Sequence, residues 1–292
     1  MGAGPSPRVD RFRYSSPRRW GDLDAQGHLN NAVYLDHLQD ARVAFLHAGE
    51  PGLADMLRTG VLVVAHQVEY LAPVGHGPEP LVVSTWIDAL GAGRFVVGYE
   101  VLDGATVAAR ARTTLVPYDL AAGRVRRLNA VERAAFEAYL DPGEPLRPLP
   151  KVGVGQGAAR YPLTVRWSDL DAYGHVNNVK FYDYVQEARV AIMTSTLDWS
   201  EGVVWSIVRQ DLEHCAPLDF RPEPYEVATS VVAVGSRSFT LAAEIRDPAS
   251  GTVYARAQTV AVGPRPLDDA ERRALARFAL PDASGVPAES RR

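Results

Sequence analysis

One stretch of this chain is written twice. WGDLDAQGHLNN, opening at Trp20, returns as WSDLDAYGHVNN, opening at Trp167. Asp24 and Asp171, His28 and His175, Asn31 and Asn178, and Arg42 and Arg189 all share a single separation. Fifteen of the twenty-five positions from Trp20 to Ala44 are identical in the second copy, without a gap. Such a match constrains the chain to two copies of one supersecondary plan. A length of 292 residues gives each copy enough chain to bury its own core.

The order of elements repeats as well. A strand-like segment, Arg11–Arg19, leads into the first loop, and Ala159–Arg166 leads into the second. A helix then runs from about Ala32 to His47, with Tyr34, Leu38, Ala41 and Phe45 on one face; Phe181, Val185, Ala188 and Ile192 take the matching positions. Four strands follow in each half: Val61–Ala72, Leu81–Leu90, Phe95–Leu102 and Thr106–Tyr118, then Val203–Ala216, Tyr225–Val234, Ser238–Arg246 and Thr252–Val262. They are rich in Val, Thr and aromatics and are joined by short Gly, Pro and Asp links, which favour an antiparallel meander. Amphipathic helices close the halves at Ala130–Leu140 and Asp268–Leu280. The fold class is therefore α+β, with about five antiparallel strands and a central helix per half. The division is residues 1–140, a Pro/Gly-rich linker at 141–158, residues 159–280, and a disordered tail at 281–292.

Composition narrows the function. A net charge of −4 argues against a nucleic-acid partner, and no basic block suggests a membrane surface. No apolar run reaches the roughly twenty residues of a membrane helix, and the N-terminus lacks a signal core, so a cytoplasmic location is expected. The start MGAGPS fits the loose myristoylation pattern, which is too short to weigh much. Cys215 is the single cysteine, so there is neither an internal disulfide nor a cysteine metal cluster. GVGQG at Gly153–Gly157 is not a phosphate loop: no strand precedes it and no Lys-Ser/Thr follows.

DLDAQGHLNN and DLDAYGHVNN carry the chemistry. Their D-x-D-x-x-G start resembles an EF-hand loop, but Gln26 or Tyr173 holds the fifth position and Val33 or Lys180 the twelfth, where a Glu is needed. Neither His28 nor His175 has a second strong zinc ligand at a usual spacing, so no metal is expected. Helix capping accounts for one short polar residue, such as Asn30, Asn31, Asn177 or Asn178, but not for two Asp, a Gly, a His and two Asn in fixed register. A helix N-terminus offers N–H donors that can hold a carbonyl gaining negative charge. A carboxylate seven residues upstream, Asp24 or Asp171, can attack that carbonyl or activate a water. No GxSxG elbow competes.

Halves that begin with the helix, carry four further strands and bear D-x-D-x-x-G-H-x-N-N resemble the hotdog-fold thioesterases, specifically the 4-hydroxybenzoyl-CoA thioesterase-like group. RWSDLDAYGHVNNVKFYDYV is also similar to plant fatty acyl-ACP thioesterases. The resemblance implies two tandem hotdog domains, a pseudo-dimer within one chain with room for further association of copies, whose sites lie between the halves. It implies hydrolysis of acyl-CoA or acyl-ACP thioesters in fatty acid metabolism, with CoA entering as part of the substrate and no separate cofactor. By position, the catalytic carboxylates are Asp24 and Asp171, and the polarising amides belong to Asn31 and Asn178. The plant enzymes add the loop His, here His28 and His175. The plant pattern has an Asn two residues after that Asp; Gln26 and Tyr173 stand there, and the further downstream acidic residue has no match, which favours a simpler Asp-centred mechanism.

Other paired positions admit weaker readings. Glu69 and Glu213, each four residues before a Pro, could orient a water or the loop His, or serve a structural hydrogen bond. Arg42 and Arg189, with Asp40 and Glu187, read as helix-face ion pairs. Arg94, Arg110, Arg112, Arg237 and Arg256 are candidates for the phosphates of CoA. Two rival functions remain: a hotdog hydratase or dehydratase, whose D-x-N-P-x-H spacing neither loop has, and a non-catalytic acyl-thioester binder.

Overall fold

A computed structural model describes residues 10–48, 52–198 and 204–285. The myristoylation pattern and the start of the strand expected at Val203 lie outside these residues. The chain divides into two compact units, Met1–Arg147 and Pro148–Arg292.

In the first unit, β1 (Phe12–Ser16) precedes α1 (Tyr34–Ala48), and α2 (Leu53–Thr59) precedes β2 (Val61–Tyr70), β3 (Leu81–Leu90), β4 (Phe95–Asp103) and β5 (Thr106–Asp119). The short β6 (Arg124–Val125) pairs with β5, and α3 (Ala130–Glu137) follows. The strand order is β1-β3-β4-β5-β2, antiparallel throughout. The apolar stripe expected on α1 is buried: Tyr34, Leu38, Ala41 and Phe45 all pack inward. Phe95 packs on Phe136 of α3 in a tilted arrangement at 4.5 Å, and Phe45 meets Tyr139 edge-on at 5.0 Å, so both helices share one aromatic core.

The second unit repeats the plan with β7 (Ala159–Leu163), α4 (Lys180–Thr196), β8 (Ser206–His214), β9 (Tyr225–Val234), β10 (Ser238–Arg246), β11 (Val253–Val262) and α5 (Asp269–Ala276). Strands β7-β9-β10-β11-β8 are again antiparallel. Each unit is the helix-wrapped antiparallel sheet expected of a hotdog domain. Three expectations need correction. Residues 281–284, read as disordered, belong to β12 (Ala279–Ser284), which pairs parallel to β9 and buries Ala283; residues 286–292 lie outside the described residues. Both closing helices are shorter than the pattern suggested, α3 ending at Glu137 and α5 at Ala276. The helix α2, whose Leu53 and Met56 are buried, was not anticipated, because seven residues give too little periodicity to see.

The closing helices start on reciprocal caps. Asn129 accepts from the Glu132 amide at 2.9 Å while Glu132 accepts from the Asn129 amide at 2.9 Å; Asp268 and Glu271 do the same. Both acids are buried and each takes an arginine, Arg126 to Glu132 and Arg265 to Glu271.

Candidate active site

Each repeated loop is a tight hairpin closed by its own backbone. The Asp24 amide donates to the His28 carbonyl at 2.8 Å, and Asp171 to His175 at 2.9 Å; Leu23 bridges Leu29, and Leu170 bridges Val176. The turn needs Gly27 and Gly174, whose φ of 76° and 83° lie in the left-handed region that a side chain disfavours. That explains why the same Gly recurs in both motifs.

Inside this hairpin the second Asp of D-x-D folds its carboxylate back onto the turn. Asp24 Oδ1 accepts from the Gln26 amide at 2.8 Å and the His28 amide at 3.2 Å, and Asp171 Oδ1 accepts from the Tyr173 amide at 2.8 Å. Both residues are half-buried. Among the described residues no further hydrogen bond reaches either carboxylate. One oxygen is thus held by the backbone, which fixes the rotamer, while Oδ2 takes no hydrogen bond among the described residues.

The loop then turns into the helix. Asn30 Oδ1 accepts from the Ala32 amide at 2.9 Å; Asn177 Oδ1 accepts from the Val179 amide at 3.4 Å and from Asn178 Nδ2 at 3.1 Å. These are cap-like bonds, so the first Asn of each pair shapes the helix entry. Asn31 and Asn178 follow in the turns that lead into α1 and α4, beside the positive end of each helix. The Tyr70 hydroxyl donates to the Asn31 carbonyl at 2.7 Å, anchoring that turn to β2.

The two aspartates of each acidic loop lie in different surroundings. The first Asp of each D-x-D is buried and structural. Asp22 accepts from Arg19 Nε at 3.0 Å and lies 3.7 Å from His37 Nε2, whereas Asp169 accepts from the Arg166 amide at 2.8 Å and the Tyr184 hydroxyl at 2.7 Å. Their carbonyls accept from the Asn30 and Asn177 amides at 2.9 and 2.8 Å. The recurring Arg three residues before that Asp was the signal for this hub.

Both loop histidines close the hairpin through their backbone carbonyls. The His175 ring is exposed, with Nε2 3.8 Å from Asp219, so the structure does not bring it against Asp171. Glu69 and Glu213 are not brought to the loop either. Strand alternation turns Tyr70 and His214 toward the helix, where they meet Tyr34 and Phe181 edge-on, so the preceding glutamates face the other side. Glu213 is exposed and 3.3 Å from Lys151. The expected ion pairs of Arg42 and Arg189 are also corrected. Both guanidinium groups are buried, Arg42 donating to the Tyr99 hydroxyl and Arg189 to Gln210 Oε1, each at 3.3 Å. Among the phosphate candidates, Arg112 is buried 2.9 Å from Asp88 and cannot reach a ligand. Arg110 and Arg256 sit on Glu100 and Glu244, Arg237 holds the Gly263 and Pro264 carbonyls, and Arg94 is exposed.

Burial also sets a pH limit on the second unit. Packed on Phe181, His214 has its pKa pushed down to about 4. Its ordinary value is near 6.5, so below that pH the unfolded chain takes up a proton that the folded chain does not. Stability present above pH 6.5 is therefore lost as the pH falls toward 4, by roughly 2 kcal/mol at pH 5. The variant His214→Tyr, which copies the matching Tyr70, should lose less stability between pH 7 and pH 5 in urea titrations. Equal losses in the two proteins would contradict this assignment.

Among the described residues no group of three or more His, Cys, Asp or Glu side chains could hold a metal, and no helix is long and apolar enough to cross a membrane. A family model described as thioesterase-like superfamily matches residues 18–138 and 165–266, which together include both loops. The curated proteins give no match. Among solved structures, an acyl-ACP thioesterase from Bacteroides thetaiotaomicron superposes with a TM-score of 0.65 at 16% identity, covering 86% of this chain and 96% of that one. A 12:0-ACP thioesterase from Umbellularia californica gives 0.70 at 20% identity, covering 86% and 94%. At such identities these two likenesses speak for the fold.

Proposed function

We propose, from the premise that this chain belongs to the thioesterase-like superfamily and is a thioester hydrolase, that Asp24 and Asp171 carry the chemistry on acyl-CoA or acyl carrier protein substrates. The observation that supports this is the duplicated geometry: in both units the Asp Oδ1 is held by the amide two residues later at 2.8 Å, just ahead of a helix N-terminus. A carboxylate fixed through one oxygen and open through the other suits a general base.

The substrate carbonyl lies against the turn that leads into α1 or α4, where the amides of Asn31 and Asn178 polarise it. Asp24 or Asp171 takes a proton from water as the water oxygen bonds to the carbonyl carbon. The tetrahedral intermediate then expels the thiol: the C–S bond breaks, the sulfur takes back a proton, and the free acid leaves. Direct attack by the carboxylate on the same carbon breaks the C–S bond, expels the thiolate and leaves a mixed anhydride. Water then opens it, giving the free acid and the carboxylate and supplying the proton the thiolate takes, with the same residues. Label found in the Asp side chain after a single turnover in heavy-oxygen water identifies the anhydride route with water attacking the Asp carbonyl, since the general-base route leaves the Asp oxygens unexchanged. His28 and His175 enter only by closing the hairpin.

The reading is tested by thiol release. The same acyl group is presented on CoA and on acyl carrier protein, across graded chain lengths. Release from at least one carrier, with the free acid as product, is the expected result. Binding of both carriers without any thiol released would leave a non-catalytic binder instead.

A further inference from the structure

Beside each loop stands a large aromatic side chain that the core does not use. Trp20 is 76% exposed and Trp167 is 75% exposed, although tryptophan is among the residues most rewarded by burial. Each opens the short 3₁₀ turn that the buried Asp22 or Asp169 ties down, and its carbonyl accepts from the Leu23 or Leu170 amide at 3.3 Å. A rigid backbone therefore presents a bare indole at the same place in both units.

Neither indole stands alone. Trp20 meets His76 edge-on at 5.3 Å, and Trp167 meets Phe220 edge-on at 5.8 Å. The second rings arrive because the segments that carry them dock on the loops: Leu29 donates to the Val74 carbonyl at 2.7 Å and Val176 to the Leu218 carbonyl at 2.9 Å. Open space lies alongside the first pair, since a Cβ built on Gly21 or Gly75 would meet nothing within 4 Å. Exposed guanidinium groups border the pairs at Arg19 and Arg166. Isolated surface aromatics need no explanation, but this arrangement recurs with two different second rings.

Reach decides which ligand fits. Trp20 is four residues before Asp24, at most about 14 Å along an extended chain and less through a 3₁₀ turn. Whatever covers the indole lies close to the reacting thioester, on the thiol side or the acyl side. The acyl side varies between substrates, whereas the thiol of both CoA and acyl carrier protein ends in the same phosphopantetheine arm. That arm alternates methylenes with flat amides and has a dimethyl branch, a surface that packs well on an aromatic face.

We infer that Trp20 with His76, and Trp167 with Phe220, form the platform along which the phosphopantetheine arm of the substrate lies. The inference rests on the thioester reading above and assigns the thiol-side half of that site. The carrier beyond the arm, nucleotide or protein, lies outside the reach of the indoles.

The test uses the full chain and the double variant Trp20→Ala/Trp167→Ala, with one acyl group on three thiols: CoA, acyl carrier protein and N-acetylcysteamine, which keeps only the first amide of the arm. The expected result is a KM raised about tenfold for CoA and carrier protein, with kcat near parental and N-acetylcysteamine hydrolysis unmoved. Trp→Phe at both sites should recover most of the loss. Equal losses on all three thiols, or no loss on any, would overturn the inference while leaving the hydrolase reading intact. So would a loss confined to CoA or confined to carrier protein. A double variant that sediments as a smaller species than the parent would show that a second copy covers the indoles. Should the parent hydrolyse none of the thioesters, the underlying reading fails separately. Titration with pantetheine, followed by tryptophan fluorescence, then decides the platform alone: a change in the parent that the double variant loses supports it, and no change overturns it.

Discussion

The double variant Asp24→Asn/Asp171→Asn is expected to hydrolyse thioesters about 10² to 10⁴ times more slowly than the parent, with little change in melting temperature. The amide is chosen for its shape. Its Oδ1 can still accept from the Gln26 and His28 amides, or from the Tyr173 amide, so the hairpin keeps its closure. What disappears is the basic oxygen at the other end of the group. A loss in kcat without a comparable rise in KM therefore reports an interaction made only during the reaction. Each single variant removes one of two loops. Independent and equal sites predict about half the parental rate for each, whereas unequal sites predict one near-parental and one nearly dead enzyme. The differing Gln26 and Tyr173, and Leu29 and Val176, within loops that otherwise match from Asp22 to Asn31, make the second pattern a real alternative. Parental turnover in the double variant would remove Asp24 and Asp171 from the mechanism.

The repeat and the antiparallel order of the strands were legible because they are local and periodic. Val, Thr and aromatic runs between Gly and Pro gave β3, β9 and β10 with their observed ends, and the stripe from Tyr34 to Phe45 gave the buried face of α1. What escaped was decided by partners distant in sequence. Ala279–Ser284 carries a Pro and an Asp and reads as the end of a helix followed by a tail from residue 281, yet it becomes a strand because β9 offers a free edge to pair with. Glu69 and Glu213 looked like site residues because they recur near the right strand end. The pleat, which reverses direction at every residue, gave the inward positions to Tyr70 and His214. Arg112 looked like a phosphate ligand, and only the fold reveals Asp88 beneath it. The two Asp of D-x-D were likewise indistinguishable by type. Their environments separate them, one sealed by the helix and the other held by its own turn.

That separation makes a stability prediction at Asp169. Its carboxylate is 2% exposed and accepts from the Tyr184 hydroxyl and the Arg166 amide. The Arg166 guanidinium, 3.4 Å away, is itself 69% exposed, so the ion pair contributes little. The cost of Asp169→Ala comes instead from the two donors it strands. Burial and the accepting carboxylate hold Tyr184 well above the ordinary tyrosine pKa, so its hydroxyl remains a donor at any working pH. A buried donor left without an acceptor costs about 1–3 kcal/mol. The Tyr184 hydroxyl is such a donor and the part-buried Arg166 amide adds less, which implies roughly 2 kcal/mol for Asp169→Ala, measured by urea unfolding. Adding Tyr184→Phe removes one stranded donor, so the double variant should be more stable than the two separate losses imply, by about 1 kcal/mol or more. Simple additivity would mean that the hub is not a connected unit. Asp171→Ala, two residues away and half-buried, loses only its turn bond and should stay within about 1 kcal/mol of the parent. Of two aspartates with one residue between them, then, Asp169 governs folding, and activity is expected to depend on Asp171.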